Sequence, residues 1–194
     1  MNARDEILQA IRAGKPDALP LPATIDFPPP PIAKAEQFSV VLTNIGGHLV
    51  KVCTMEEVEA YVRQHYDLSL PIVSLAPEVP VGNVIPIPTD DPHQFADLHL
   101  VLLQGQLGVA ENGAIWIDEQ NFTLRVLPFI TLNLAIVIRQ DQLVAHMHEA
   151  YRHLRTMSGY GTFIAGPSKT ADIEQSLVIG AHGPKSMTVF LVGA

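Results

Sequence analysis

Cysteine and basic residues are both scarce in this sequence. Its 194 residues include one cysteine, Cys53, and 12 Lys and Arg against 20 Asp and Glu, for a formal net charge of −8. One cysteine cannot form an internal disulfide, and alone it cannot hold an iron–sulfur cluster or a structural zinc ion. The negative net charge and the scattered positions of the basic residues argue against nucleic acid and anionic membranes as partners, because both require clustered Lys and Arg. Cys53 lies within a strand pattern over residues 48–53, which predicts that it is a buried, small hydrophobic residue.

Long apolar runs and the common nucleotide-binding motifs are also missing. The longest apolar run, residues 132–138, has the length of a strand, and residues 1–12 have the pattern of a charged amphipathic helix rather than a signal peptide. These features predict a cytoplasmic bacterial protein. The sequence contains no P-loop, no G-x-G-x-x-G fingerprint and no G-x-S-x-G elbow, so ATP hydrolysis, Rossmann-type NAD binding and serine esterase chemistry are unsupported.

The periodicity predicts one domain with an N-terminal appendage. Residues 1–32 are predicted to form a helix and a proline-rich arm, which either hangs free or docks the helix on its own body or on a neighbouring subunit of a homo-oligomer. Strands alternate with helices over residues 33–194, a pattern typical of an α/β fold with a mostly parallel sheet flanked by helices.

A helix is predicted over residues 141–155. It carries His146, His148 and His153, with Glu149 among them. His146 and Glu149 share a helix face at a spacing of three residues, but a metal site would need a third fixed ligand. The sequence therefore favours a solvated helix face over a metal site here.

The most polar segment follows a predicted strand at residues 162–165. It is predicted to be a strand-to-helix turn that leads into a helix over residues 170–178. Its candidate ligand-binding residues are Gly166, Ser168, Lys169, Thr170, Asp172 and Glu174. Free N–H groups at the start of a helix favour a bound phosphate or carboxylate. The alternative is that the hydroxyl groups only cap the helix and the carboxylates complement its dipole. His182, in a glycine turn before the last strand, would face the same crevice as Ser168 in one orientation of the helix.

A second group of candidate site residues lies at a glycine turn between two apolar segments, with Glu111 as a catalytic residue and Asn112 and Gly113 as ligand-binding residues. A carboxylate exposed at the end of a strand can act as a general base or a nucleophile. Asn-Gly is also the strongest short signal for a hairpin turn, so the alternative is a plain turn with Glu111 pointing into solvent.

Three segments together resemble the LUD domain of the lactate-utilisation protein C (LutC/YkgG) family. They are GVAENGA at 108–114, GPSKTADIEQ at 166–175 and GAHGPK at 180–185. The resemblance covers roughly residue 33 to the C-terminus and implies an isomerase/CoA-transferase-like (Rossmann-like) α/β fold. It also implies that the protein serves with two iron–sulfur proteins in the oxidation of L-lactate to pyruvate. This chain would be the component that binds no cofactor of its own, and the iron–sulfur clusters would lie in the partners.

Residues 111–113 are also similar to the motif of class I CoA-transferases, which implies Glu111 as a nucleophile and Gly113 as part of the turn that exposes it. The separate glycine-rich oxyanion loop of those enzymes is missing. We therefore consider two main functions, beside a third in which the chain is a structural partner with a vestigial site. One is a non-redox component of lactate oxidation that binds a small carboxylate or phosphorylated ligand at the carboxyl ends of the strands. The other is a CoA-transferase-like or sugar-phosphate-isomerase-like enzyme, with Glu111 and His182 as catalytic residues.

Overall fold

The structure of the chain is a computed structural model that describes residues 2–16, 19–20, 22, 25, 27–28, 31–122, 124–154, 159–170 and 178–193. The helices are α1 Ala3–Ala13, α2 Lys34–Asn44, α3 Met55–His65, α4 Leu127–Ile130 and α5 Met147–His153. The strands are β1 His48–Val52, β2 Ile72–Ser74, β3 Leu100–Gln104, β4 Leu107–Val109, β5 Ala114–Asp118, β6 Asn133–Arg139, β7 Leu143–Val144, β8 Gly161–Ile164, β9 Lys169–Thr170, β10 Val178–Ile179 and β11 Ser186–Val192.

The central sheet is parallel throughout the part that the structure describes. Its five strands lie in the order β1-β11-β6-β3-β2. The inner strands are continuous apolar runs because both faces of the sheet are covered, as parallel sheets require. The predicted α/β fold with a mostly parallel sheet flanked by helices is thus confirmed.

Each face of the central sheet packs against a different layer. On one face the side chains of α2 and of a second sheet join the core, including Phe38, Leu42, Ile115 and Ile117. On the other face α3 contributes Val58 and Val62 to a separate apolar cluster. The second sheet has the order β7-β4-β5-β8, in which β4 and β5 form an antiparallel hairpin.

The N-terminal helix is confirmed as α1, which begins where the Asn2 side chain accepts a hydrogen bond from the Asp5 N–H at 3.0 Å. Such a bond satisfies one of the free donors at a helix start. Across the described ranges, no helix is both long and apolar enough to cross a bilayer.

Two predicted helices are wrong in part because some of their residues pair in strands. The helix expected over 141–155 begins only at Met147, since Leu143 and Val144 pair with Gly108 and Val109 of β4. The helix expected over 170–178 has a strand residue at each end, because β9 pairs antiparallel with β10. Asp172 and Glu174 fall in residues 171–177, outside the described residues.

The prediction for Cys53 is also wrong, since this residue is exposed. Strand β1 ends at Val52, and Cys53 lies in the turn before α3, where its N–H donates to Glu57 Oε2 at 2.8 Å. Thr54 caps the helix by accepting from the N–H of Glu57. Cys53 therefore belongs to a reciprocal cap at the start of a helix rather than to the sheet.

Candidate functional site

The carboxylate of Glu111 is held at the start of α5 by two hydrogen bonds. Its Oε1 accepts from the backbone N–H of Met147 at 2.8 Å, and its Oε2 lies 2.9 Å from Nδ1 of His146. The first helical residue and the residue that caps the helix thus both contact Glu111. A carboxylate at this position is also favoured by the helix dipole. The hairpin turn predicted at Asn112-Gly113 is confirmed, but Glu111 binds a second element instead of pointing freely into solvent.

The geometry of the hairpin explains why Asn112 and Gly113 follow Glu111. Asn112 Oδ1 accepts from the N–H of Ala114 at 3.0 Å, and Gly113 has a φ of +69°, a conformation that favours glycine. The N–H of Glu111 donates to the Ala145 carbonyl at 3.1 Å. These bonds fix the backbone on both sides of the carboxylate, so the described contacts give Asn112 and Gly113 structural roles.

The proline-rich arm covers the other side of His146. The Nε2 of His146 lies 3.1 Å from the carbonyl oxygen of Pro28. The ring of Phe27 packs with its centre 4.6 Å from the ring of His148 and 6.1 Å from the ring of His146. Both ring nitrogens of His146 face an acceptor, and an imidazole donates from both nitrogens only when it is protonated. The contacts therefore favour an imidazolium between Glu111 and the arm.

The pKa values of the pair shift in the directions expected of a carboxylate–imidazolium pair. Burial raises the pKa of Glu111, but the hydrogen bonds from Met147 and His146 and the charges of His146 and His148 outweigh it, so this pKa lies below its ordinary 4.5. The hydrogen bond to the Pro28 carbonyl and then the contact with Glu111 raise the pKa of His146 above its ordinary 6.5. Between these two ordinary values both groups are charged.

The two glycine-containing turns near the C-terminus pack against each other. The N–H of Ser168 donates to the Pro184 carbonyl, and the N–H of Gly180 donates to the Ser168 carbonyl, each at 2.9 Å. A Cβ added to Gly183 would lie 3.0 Å from the Cβ of Ser168, which shows how closely the turns approach. His182 is exposed on the same loop. The turns are adjacent, as expected, but the N–H of Ser168 is already bonded within the protein.

Lys169 and Gly166 contact the C-terminal end of α2. The ammonium of Lys169 donates to the carbonyl of Ile45, the residue that caps this helix. Gly166 has a φ of +73°, and a Cβ there would lie 2.7 Å from the Ile45 carbonyl oxygen. A cation at the end of a helix complements the helix dipole and satisfies a free carbonyl group. Lys169 therefore has a structural partner, while Thr170 belongs to β9.

The sequence predicted a ligand-binding crevice at the carboxyl ends of the parallel strands, and this position is wrong for the two C-terminal turns. Residues 180–185 lead directly into the start of β11, and Gly46, beside Lys169, lies just before the start of β1. Both turns are therefore at the amino ends of the parallel strands, not at the carboxyl ends. At the carboxyl end of β3 there is a different cleft of about 350 Å³, lined partly by Gln104, Glu119 and Asn121.

His146 is the site residue that the sequence did not reveal. It lies 35 positions from Glu111, and its place on an expected helix predicted only a solvated face. Over the described ranges, no group of three or more His, Cys, Asp or Glu side chains is arranged to hold a metal ion. The pair of Glu111 and His146, with the arm above it, is thus the candidate site.

The fold and this pair define an α/β protein with a carboxylate–imidazolium site at its second sheet. A crystal structure of a DUF162 family protein from Deinococcus radiodurans has a similar fold, with a TM-score of 0.62 and 19% identity; the match covers 84% of this chain and 100% of that one. The LUD domain model matches residues 90–192, more than half of the chain. The chain therefore belongs to the LUD domain family, as its motifs predicted.

Several relatives carry the name Lactate utilization protein C. The protein from Shouchella clausii is 39% identical over 97 residues, 47% of this chain and 42% of the relative. That from Geobacillus thermodenitrificans is 33% identical over 94 residues, 45% of this chain and 39% of the relative. The match thus spans only about two fifths of these relatives. The protein from Deinococcus radiodurans is 29% identical over 201 residues, which covers 96% of this chain and 92% of the relative.

Proposed function

We propose that this protein is the cluster-free component of an iron–sulfur system that oxidises L-lactate to pyruvate. The observation that carries this proposal is membership of the LUD domain family together with relatives named Lactate utilization protein C, one of them matched along 96% of the chain. The two electrons released by lactate would pass to clusters in two partner proteins, because one cysteine cannot hold such a cluster.

The contribution of this chain would be to bind a small anion at His146. Its Nε2 now donates to the Pro28 carbonyl, and a carboxylate could accept the same hydrogen bond once the arm moves away. The Pro28 carbonyl and then Glu111 raise the pKa of His146, and with the arm displaced Glu111 would still orient the ring through Nδ1 and favour its protonated form. Ser168 and His182, on the two C-terminal turns that pack against each other, stay predicted ligand contacts, and no described contact joins them to His146.

Binding can be tested by isothermal titration calorimetry with L-lactate as the probe. Binding should be lost in His146→Gln and weakened in Glu111→Gln, while His153→Gln, near the other end of α5, serves as the matched control. Affinity should fall as the pH rises through the pKa of His146, because the neutral ring no longer donates from both nitrogens. Binding that is equal in His146→Gln and the wild type would refute the site.

The wider role can be tested in a bacterium whose own copy of the gene is deleted. The wild-type chain should restore growth on L-lactate, and affinity purification from these cells should recover two cysteine-rich iron–sulfur proteins. Growth on pyruvate is the control, since it bypasses lactate oxidation. Full growth on L-lactate without the protein would refute the proposed role, whatever the outcome of the binding experiment.

The second candidate function is a CoA-transferase-like or sugar-phosphate-isomerase-like enzyme with Glu111 as nucleophile or base. The lowered pKa of Glu111 and the partial exposure of its side chain, 35%, favour a carboxylate that is ionised and within reach of a substrate. Both of its oxygens already accept hydrogen bonds, which lowers their nucleophilicity.

Incubation with an acyl-CoA followed by borohydride tests the CoA-transferase function, because borohydride reduces a glutamyl thioester to an alcohol. An unreduced Glu111 by mass spectrometry would count against it.

A further inference from the structure

Helix α1 presents an exposed apolar stripe, and none of its residues is buried. Ile7, Leu8 and Ile11 are 60%, 38% and 61% exposed, and none of residues 2–16 is buried. These three side chains lie on one face, because successive residues of a helix are about 100° apart. An 11-residue helix with no packing partner is only marginally stable in water. The stripe therefore indicates a surface against which α1 packs.

Two arginines extend the same face of α1. Arg4 and Arg12 lie four residues before and after Leu8, one helical turn away in each direction. Within the described ranges, neither is in an ion pair. The face of α1 thus combines an apolar centre with a positive charge toward each end, and a matching surface would be apolar with acidic edges.

The body carries such a surface at the amino ends of β2, β3 and β6. Two depressions of about 390 and 300 Å³ meet there and share Asp97 and Leu98 as lining residues. We call this surface the groove. Three of its apolar side chains, Leu70, Ile85 and Leu132, are 40%, 87% and 42% exposed. Apolar side chains that are clustered and exposed to this extent commonly mark an interaction site.

The acidic side chains of the groove complement the arginines of α1. Asp90 and Asp97 both line it, and neither is in an ion pair with any residue that the structure describes. A helix of 11 residues is about 16 Å long, so Arg4 and Arg12 are about 12 Å apart along it. The two surfaces therefore agree in chemistry, with apolar centres and opposite charges.

We propose that α1 of one copy of this chain packs in the groove of a second copy, so that two chains exchange their N-terminal helices in a twofold dimer. Within a single chain both surfaces are exposed. The arm that follows α1 in the sequence contacts His146 through Phe27 and Pro28. A reciprocal exchange buries two stripes and two grooves in one assembly, as closed twofold symmetry allows. This proposal is independent of the lactate role.

Sedimentation velocity of the full chain over a range of concentrations tests the exchange. The wild type should dimerise, and the dimer of Ile7→Asp/Ile11→Asp should be weaker by about 100-fold or more, since two buried isoleucines are lost at each helix. Gln9→Asp, on the opposite face of α1, is the matched control and should dimerise as the wild type does. A wild type that is monomeric at every concentration would overturn the proposal.

Charge exchange identifies the contacting surfaces. Arg4→Glu/Arg12→Glu and Asp90→Arg/Asp97→Arg should each weaken the dimer, and the combined variant should restore it. Failure of the combined variant to recover any affinity would contradict the proposed pairing. Unchanged far-UV circular dichroism verifies that each variant is folded.

A cysteine pair distinguishes a second copy from the same chain. Leu8→Cys/Ile85→Cys in a Cys53→Ser background should give a disulfide-linked dimer under mild oxidation on a non-reducing gel. A disulfide formed within one chain would show that α1 folds back on its own groove, and it would refute the exchange. The single variants Leu8→Cys and Ile85→Cys control for random oxidation.

Discussion

Substitution of Gly166 by alanine tests whether the segment 166–170 is shaped to fit the end of α2. The φ of +73° puts this residue in the left-handed region, where an L side chain costs about 1–2 kcal/mol. The new Cβ would also lie 2.7 Å from the Ile45 carbonyl oxygen, so the backbone would have to move, and overpacking of this kind costs a further ~1–3 kcal/mol. We therefore expect Gly166→Ala to lower the free energy of unfolding by about 2–5 kcal/mol.

Gly46 provides the matched control at the same junction. Its φ of +85° carries the same conformational cost, but a Cβ there would meet only side-chain carbons of Lys169 and Pro167 and the Lys169 ammonium nitrogen, all at 3.6 Å. Gly46→Ala should thus cost only about 1–2 kcal/mol. Urea unfolding followed by circular dichroism measures both values, and each kcal/mol should lower Tm by about 2–4 °C in a chain of this size. Equal losses in the two variants would refute the close approach of Gly166 to Ile45.

Three further outcomes follow from the contacts described. Glu111→Gln should lower the pKa of His146 in an NMR titration, because a carboxylate that stabilises the charged ring is lost; an unchanged pKa would contradict the pairing. The stability contributed by His146 is fully present below its ordinary pKa of 6.5 and is lost as the pH rises through its raised pKa. The stability contributed by Glu111 is fully present above its ordinary pKa of 4.5 and is lost as the pH falls through its lowered pKa. Wild type and Glu111→Gln/His146→Gln should therefore differ most in unfolding free energy between pH 4.5 and 6.5. Cys53 should react with a thiol reagent in the native protein, and reaction only after unfolding would contradict its exposure.

The elements that the sequence predicted well are those whose signals are local. The strand expected over residues 132–138 is β6, Asn133–Arg139, and the strand expected near residue 48 is β1. The cap at Thr54 depends on Glu57, three residues later. Hydrophobic periodicity and capping bonds act within one turn of helix or along one strand. They can therefore be recognised from the local sequence, without the rest of the fold.

The elements that the sequence did not predict depend on partners far along the chain. Strand β7 exists because Leu143 and Val144 pair with β4, about 35 positions earlier, although their local periodicity is helical. The shift of the start of α5 to Met147 puts His146 at the cap of that helix, next to Glu111. No local pattern could bring the two together, because their contact exists only once the second sheet has formed.

Two of the three motifs that carry the family resemblance, at 108–114 and 166–175, pack against the same part of the protein. A Cβ on Gly113 would lie 3.2 Å from the Cα of Leu42, while Gly166 and Lys169 contact Ile45, so both motifs pack against the last turn of α2. Their glycines are explained by this close approach, and the charge of Lys169 by the helix end that it caps. The described contacts thus assign much of the conspicuous polar segment to packing. The pair of charges that this packing does not explain is Glu111 with His146, where the arm occupies the one ring nitrogen from which a ligand could accept a hydrogen bond.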